Sequence, residues 1–320
     1  MDHAPGEGRA AQGCGKDLHL NDTQLNDIRL VASDLDGTFL DANHGLHPRC
    51  VAAVREASRH GVHIVFATGR PSRWTGLLQP LLDIGYTLIA SNGALVLDPG
   101  RGRVLTYRAI EPQDAFGFGT DLVPLVPDAC FAVEFAHGGW GADELFLNVQ
   151  RGQSQDQERP GILAPFGQLV THDAVVKVIA VSASTPTEPL AALCERASAG
   201  RVHPTFSFSR AAGFVECSAP GVSKASALRA VLAQQGLCPD QAMAFGDMPN
   251  DLEMLRLVGH PYVMAGAHPV VLRAGYPIAG ANCDGAVGAI IERELGLGPL
   301  TPISPPCQHA SRNRGQTSED

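Results

Sequence analysis

The stretch Ile28–Asp41, IRLVASDLDGTFLD, decides the fold. Its apolar run (Ile28, Leu30, Val31, Ala32) ends in two aspartates, Asp34 and Asp36, followed by Gly37 and Thr38. Apolar residues bounded by turn formers read as a buried strand. Residues two apart in an extended chain face the same side. Asp34 and Asp36 are therefore expected to aim into one crevice just past a strand end, where ligands bind in open α/β sheets. Two carboxylates held there cannot both ionise cheaply without a cation nearby. The pattern predicts one carboxylate as nucleophile, one as proton carrier, and a hard divalent metal between them.

Outward from that stretch the chain alternates. Pro48 stands where a helix would begin, and Val51, Val54 and Ala57 continue its face to about Gly61. His63–Ala67 and Tyr86–Ala90 read as strands, with a helical pattern of Trp74, Leu77, Leu78 and Leu81 between them. This succession predicts a parallel sheet with helical crossovers. The character changes near Asp98-Pro99-Gly100. From Arg103 to about Val215 the chain reads as an inserted α+β unit. Its strand candidates are Cys130–Phe135, Leu145–Val149, Val175–Val181, Arg201–Phe208 and Gly213–Cys217, with a helix from Thr187 to Ala197 and an exposed loop at Gly152–Pro160. Alternation then returns: helix Lys224–Gln235, strand Ala242–Phe245, helix Asp251–Leu257, a last strand Pro261–Met264 and helix Val287–Leu295. Residues 1–26 and 297–320 read as a disordered leader and tail. The expected plan is a discontinuous core (27–97 and 216–296) interrupted by a cap (98–215).

Composition bounds the rest. At 320 residues the chain suits two domains, and 44% apolar with 18% charged residues is ordinary for a globular protein. The net charge of -9 argues against a nucleic-acid or acidic-membrane surface. No apolar stretch is long enough to span a bilayer, and the N-terminus lacks the pattern of a secretory signal. The 8 cysteines are scattered without a CxxC pair, as expected of thiols in a reducing cytoplasm.

The strand ends carry the candidate chemistry. Asp34 and Asp36 alone could simply cap a turn. Thr68-Gly69-Arg70 ends the second strand, either as an ordinary turn or as a hydroxyl and a guanidinium that bind an anion. Asn92-Gly93 ends the third, as a tight turn or as an amide that meets phosphate or substrate. Lys224 opens a helix, where the dipole disfavours a cation, so it is read either as a lysine with an anion beside it or as an ordinary solvated surface lysine. Gly246-Asp247-Met248-Pro249-Asn250-Asp251 follows another strand, either as turn-forming Asp and Asn or as two further carboxylates with Asn250 between them. Oxygen donors without a His or Cys cluster favour magnesium over zinc.

Together DLDGT (Asp34–Thr38), TGR (Thr68–Arg70), SNGA (Ser91–Ala94), GVSK ending at Lys224, and GDMPND (Gly246–Asp251) resemble the haloacid dehalogenase (HAD) superfamily, and most of all its Cof-type phosphatases with a C2B cap. The resemblance covers about Leu30 to Glu294. It implies a Rossmann-like α/β core, an inserted α+β cap and a small phosphorylated metabolite, such as a sugar phosphate, as substrate. It implies that Asp34 attacks phosphorus to form an aspartyl-phosphate. Asp36 would protonate the leaving alkoxide and then activate water. Thr68 and Lys224 would hold the phosphoryl group, and Arg70, Asn92, Gly93 and Asn250 would bind substrate or phosphate. Magnesium would be held by Asp34, the Asp36 backbone carbonyl, Asp247 and Asp251. One departure stands out: Gly266 occupies a position where relatives carry Asn, with His268 two residues on. Asn282, Asp284 and Gly285 resemble the family's late structural turn, and Trp140 and His137 of the cap are candidates to meet substrate. The other readings are a phosphohexomutase-like phosphotransferase and a non-catalytic binder of phosphorylated metabolites.

Overall fold

The computed structural model describes residues 27–151 and 159–298. The expected leader, nearly all of the loop predicted at Gly152–Pro160 and all but the first residues of the expected tail lie outside them.

The described residues build two sheets. The larger has eight strands in the order Ile278–Gly280, His260–Met264, Ala242–Gly246, Leu30–Ser33, His63–Ala67, Thr87–Ala90, Leu95–Asp98 and Arg103–Tyr107. The first six run parallel and the last two are antiparallel. Leu30–Ser33 lies inside this sheet, paired on one side with Ala242–Phe245 and on the other with His63–Phe66. Buried on both faces, such strands are continuously apolar rather than alternating. Leu30 and Ala32 pack on one face with Ala225, Leu228 and Leu232 of helix Lys224–Gln235. Val31 packs on the other with Val54 and Ala57 of helix Pro48–Arg59 and Ile290 of helix Ala286–Glu294.

The second sheet has six strands in the order His203–Thr205, Gly213–Ser218, Val175–Ser182, Cys130–Phe135, Trp140–Ala142 and Ile162–Leu163. All pairs are antiparallel except the last. Helices Pro112–Leu122 and Thr187–Ser198 bury Phe118, Leu122, Leu190 and Cys194 with Phe131, Val133, Val178 and Val215. Because strand side chains alternate, the opposite face carries Glu134, Lys177, Ile179, Phe214 and Glu216, all of which line the cavity described below.

Several expected elements differ. Arg103–Tyr107, placed in the insert by sequence, is an edge strand of the larger sheet, because a turn at Pro99–Arg101 returns it antiparallel against Leu95–Asp98. The insert therefore begins after Tyr107, and strand Gly213–Ser218 belongs wholly to the smaller sheet. Leu145–Val149 is helical, within Glu144–Arg151; a short apolar run cannot distinguish the two states by period alone. The segment holding Leu77, Leu78 and Leu81 is a 3₁₀ stretch, Gly76–Ile84, because Pro80 interrupts an α-helix, and Trp74 lies apart from it and exposed. The short strand Ile278–Gly280 was not read from sequence.

One close approach fixes the larger sheet against its helix. Gly93 has φ +104, and a Cβ there would overlap the backbone carbonyl of Ser223, the cap of helix Lys224–Gln235. Gly93 thus serves packing, beside any part it has in binding phosphate. Gly93→Ala is expected to lower unfolding free energy by about 2 kcal/mol or more, read from urea denaturation; an unchanged midpoint would show that the turn has room.

Candidate active site

Ser33 ends its strand, but the Asp34 N–H still donates to the Phe245 carbonyl (3.0 Å), so Asp34 stays in register with the neighbouring strand end. The chain then turns tightly through Leu35–Phe39, with Gly37 at φ +76. A Cβ on Gly37 would run into the Asp247 carboxylate, so only glycine lets the two strand ends meet this closely. Lys224 opens its helix behind the Ser223 cap, whose hydroxyl accepts from the Ser226 N–H (3.3 Å) while Ser226 Oγ accepts from the Ser223 N–H (2.9 Å).

These elements bring Asp34, Lys224, Asp247 and Asp251 together. The Lys224 ammonium is 1% exposed and donates to Asp34 Oδ1 (2.5 Å) and Asp251 Oδ1 (2.7 Å). Asp251 Oδ2 accepts from the N–H groups of Asp247 (3.1 Å) and Met248 (3.0 Å). Asp247 Oδ1 accepts from Thr38 Oγ1 (3.1 Å). Carboxylate oxygens of Asp34, Asp247 and Asp251 all lie within 4.8 Å of one another.

The electrostatics follow. Burial pushes the Asp34 pKa well above the usual carboxylate range; Lys224 opposes this, and Asp251 and Asp247 add to it. Asp247 is pushed up to about 7, by burial first and then by Asp251, against the Thr38 hydrogen bond and Lys224. Burial works against the Lys224 charge, but Asp251 and Asp34 outweigh it and raise its pKa. Three carboxylates with one lysine leave an excess of buried negative charge, and an all-oxygen donor set of this kind can hold a hard divalent cation. Asp251 already spends both oxygens on protein donors, so it is better placed to orient the cluster than to ligate directly.

The remaining expected residues divide. Asp34 and Asp36 both line one cavity of about 470 Å³, as the sequence pattern predicts. The strand ends before them, however, and Asp36 stands outside the buried carboxylate cluster. Its carboxylate is gripped by Arg70, Nε to Oδ2 at 2.7 Å and Nη2 to Oδ1 at 2.5 Å, with His44 Nδ1 3.3 Å from Oδ1. Arg70, expected to meet substrate, therefore spends its fork on Asp36. Thr68 is fully buried, its hydroxyl accepting from the Arg70 N–H (3.0 Å). Asn92, at φ +56, accepts through Oδ1 from Asn250 Nδ2 (3.0 Å), while its own Nδ2 is buried without a partner. That orphan donor favours the reading in which the Asn92 amide meets a ligand.

The smaller sheet closes the cavity with groups that sequence reasoning missed. Lys177 Nζ donates to the Gly69 carbonyl (2.5 Å) and Glu216 Oε1 (2.6 Å), with Glu134 Oε2 at 3.5 Å. Glu134 Oε2 accepts from Ser91 Oγ (2.8 Å), and Ser207 Oγ bridges Glu216 (2.5 Å) and Asn250 (3.2 Å). The available signal was a single charge inside each of three apolar strands, CFAVEF, VVKVIAV and GFVECS. Trp140 lines the cavity as expected, but His137 does not: it lies against Tyr107 and 3.6 Å from Asp173. His268 caps the short helix Pro269–Leu272 and pairs with Glu188 at 3.8 Å, while its N–H donates to the Asp247 carbonyl (2.8 Å). Gly266 has open space around it. In the late turn, Asn282 Nδ2 donates to the Leu40 carbonyl (2.7 Å), a structural tie to the loop after Asp36. Among the described residues no helix is long and apolar enough to cross a membrane.

Comparison with known proteins agrees with this architecture. The family described as haloacid dehalogenase-like hydrolase matches residues 31–291. An HMP-PP phosphatase of Cronobacter sakazakii is 28% identical over 76% of this chain and 86% of its own. Among solved structures, a phosphatase of the haloalkanoate (HAD) enzyme superfamily from Bacteroides thetaiotaomicron aligns with a TM-score of 0.72 at 22% identity, covering 87% of this chain and 98% of its own. A HAD subclass IIB sugar phosphatase aligns at 0.70 and 18% identity, over 83% and 98%.

Two measurements probe the cluster. An acid whose folded pKa is raised from 3.8 to about 7 stabilises the metal-free fold fully below 3.8, and that contribution is lost as pH rises through 7. In EDTA, wild-type Tm minus Asp247→Asn Tm should therefore fall between about pH 4 and pH 7, with added magnesium recovering it; a flat difference would contradict the burial argument. Lys224→Met should cost about 3–5 kcal/mol by leaving Asp34 and Asp251 uncompensated, measured by urea unfolding at neutral pH.

Proposed function

Because the chain belongs to the haloacid dehalogenase-like hydrolase family, we propose that it is a magnesium-dependent phosphatase that hydrolyses small phosphorylated metabolites through an aspartyl-phosphate. The observation that carries this reading is the convergence of Asp34, Lys224, Asp247 and Asp251 at adjoining strand ends. The phosphatase names of its relatives support the reaction class.

In the proposed cycle an Asp34 carboxylate oxygen attacks phosphorus, and the bond from phosphorus to the ester oxygen breaks. The departing alkoxide takes a proton from Asp36, whose carboxyl group can carry one only once the Arg70 fork has released an oxygen. Asp36 then removes a proton from water, whose oxygen attacks phosphorus; the bond to Asp34 breaks, releasing phosphate and restoring the free carboxylate. Lys224 holds Asp34 in place and sets positive charge beside the phosphoryl oxygens, and the Thr68 hydroxyl and Asn92 amide position them. Magnesium, held by Asp34, Asp247 and the Asp36 carbonyl with Asp251 behind them, would neutralise charge on the carboxylates and the phosphoryl group. Arg70 keeps Asp36 facing the cavity from the loop after the second strand. The cavity volume suits a small ligand, and its closure by the smaller sheet limits access of bulk water.

Phosphate release from p-nitrophenyl phosphate should require magnesium and stop in EDTA. Asp34→Asn should reduce kcat by about 10³-fold or more, as expected when a nucleophile is removed. Asp36→Asn should slow esters of alcohols more than the p-nitrophenyl ester, whose leaving group needs no proton. Full turnover by Asp34→Asn, or metal-independent turnover, would overturn the proposal.

A further inference from the structure

Charged and apolar groups share the lining of the cavity. Trp140, Phe146, Leu147, Ile179, Phe208 and Phe214 form a wall with almost no hydrogen-bonding capacity. Within it, Trp140 and Phe146 meet edge to face with centroids 6.3 Å apart, and Phe208 and Phe214 lie 4.9 Å apart. Phe208 is 40% exposed, an apolar face left open beside the cavity.

Two donors on this wall are left over. Arg210 stacks its guanidinium on Phe208 (5.0 Å) and Phe214 (4.9 Å), and its Nε and Nη2 are buried with no hydrogen-bond partner. The Trp140 indole N–H is likewise buried and unpartnered. The other charged groups facing the cavity from this sheet are satisfied within the protein: Lys177 by Gly69, Glu216 and Glu134, and the two glutamates by Lys177, Ser91 and Ser207. A desolvated guanidinium is costly unless an anion meets it. A polyol would fare badly against the same wall, because each buried hydroxyl needs a partner that these side chains do not offer. A planar ring would instead pack against the aromatic side chains, beside the Arg73 guanidinium that lies over Trp140 (5.6 Å) and the Arg210 guanidinium over Phe208 and Phe214.

Resting on the phosphatase reading, we propose that the leaving group of the preferred substrate is a planar aromatic alcohol carrying a second anionic group: the ring packs against the Trp140, Phe208 and Phe214 side chains, and the anion is received by Arg210. Arg210 and Trp140 are then specificity residues of the smaller sheet, and the open-chain and pyranose sugar phosphates are poor ligands.

Binding and turnover separate this proposal from the one it rests on. Wild-type protein with magnesium is titrated calorimetrically with three phosphonates in which CH2 replaces the ester oxygen, analogues of 4-(phosphonooxymethyl)benzoate, benzyl phosphate and glucose 6-phosphate. The carboxylated aryl ligand should bind about tenfold or more tighter than the benzyl one, as expected of a desolvated charge pair, and the benzyl one tighter than the glucose one. Arg210→Met should collapse the first ratio towards one, and Arg210→Lys should restore part of it. Trp140→Leu, which leaves Arg210 in place, should shrink the second. Equal or tighter binding of the glucose analogue, or a carboxylate preference that survives Arg210→Met, would overturn the proposal. The parent esters are assayed in parallel. Hydrolysis of all three with equal kcat/KM rejects the substrate class and keeps the phosphatase; the predicted binding order without hydrolysis keeps the ligand class and rejects the phosphatase. Absence of binding by all three rejects the substrate class.

Discussion

The arrangement depends on one buried cation. Lys224 is buried away from the surface and is held by Asp34 and Asp251, residues from two different strand ends. Buried ion pairs are poor sources of net stability, because desolvation consumes most of the Coulombic gain. Their effect is on geometry: an ammonium that must find two carboxylates tolerates few arrangements of the three elements that carry them. Lys224 therefore fixes the start of its helix, the end of the Leu30–Ser33 strand and the loop after Ala242–Gly246 relative to one another. Gly37 and Gly93 make this possible, since a side chain at either would collide with the Asp247 carboxylate or the Ser223 backbone.

The smaller sheet repeats the device. Lys177 is as buried as Lys224 and is likewise held between two carboxylates, Glu216 and Glu134. Its third partner is the Gly69 carbonyl, which belongs to the larger sheet's loop between Thr68 and Arg70. The Ser91–Glu134 and Asn250–Ser207 hydrogen bonds cross the same boundary. The two layers are thus joined by polar bonds at the rim of the acidic cluster, in addition to the apolar cluster that both sheets share.

The core was legible in the sequence because its signals are local. The aspartate, threonine and asparagine candidates sit just beyond apolar strands, Lys224 opens a helix, and the structure brings Asp34, Lys224, Asp247 and Asp251 together. Less of the smaller sheet could be read. Glu134, Lys177 and Glu216 stand in mid-strand, and their meaning depends on which strands become neighbours: Glu134 opposes Lys177, and Glu216 lies opposite Ile179, two residues further along the same face. That pairing is non-local and leaves no turn chemistry behind. The same limit explains the pairing of Arg70 with Asp36, 34 residues away, and the misreading of Leu145–Val149, whose helix is set by what its apolar side packs against. His137 failed for a simpler reason: it lies in the turn after strand Cys130–Phe135, whereas Trp140 begins the next strand and lines the cavity.

This division of signals follows from a division of labour. Phosphoryl transfer asks the same of every substrate, namely charge neutralisation and alignment at one phosphorus, and a set of groups at rigid strand ends meets that demand. The leaving group differs from substrate to substrate, and in the proposed reaction it would face a sheet whose polar groups are mostly consumed in holding that sheet in place. Discrimination then falls to what remains unsatisfied. On the Trp140–Phe214 wall the unsatisfied donors are the Arg210 guanidinium and the Trp140 indole, set among aromatic faces. An unpaired buried donor discriminates strongly, because a ligand lacking its acceptor leaves it unpaired, whereas apolar contact alone separates ligands only weakly. The residues most informative about the substrate are therefore those the fold itself has least use for.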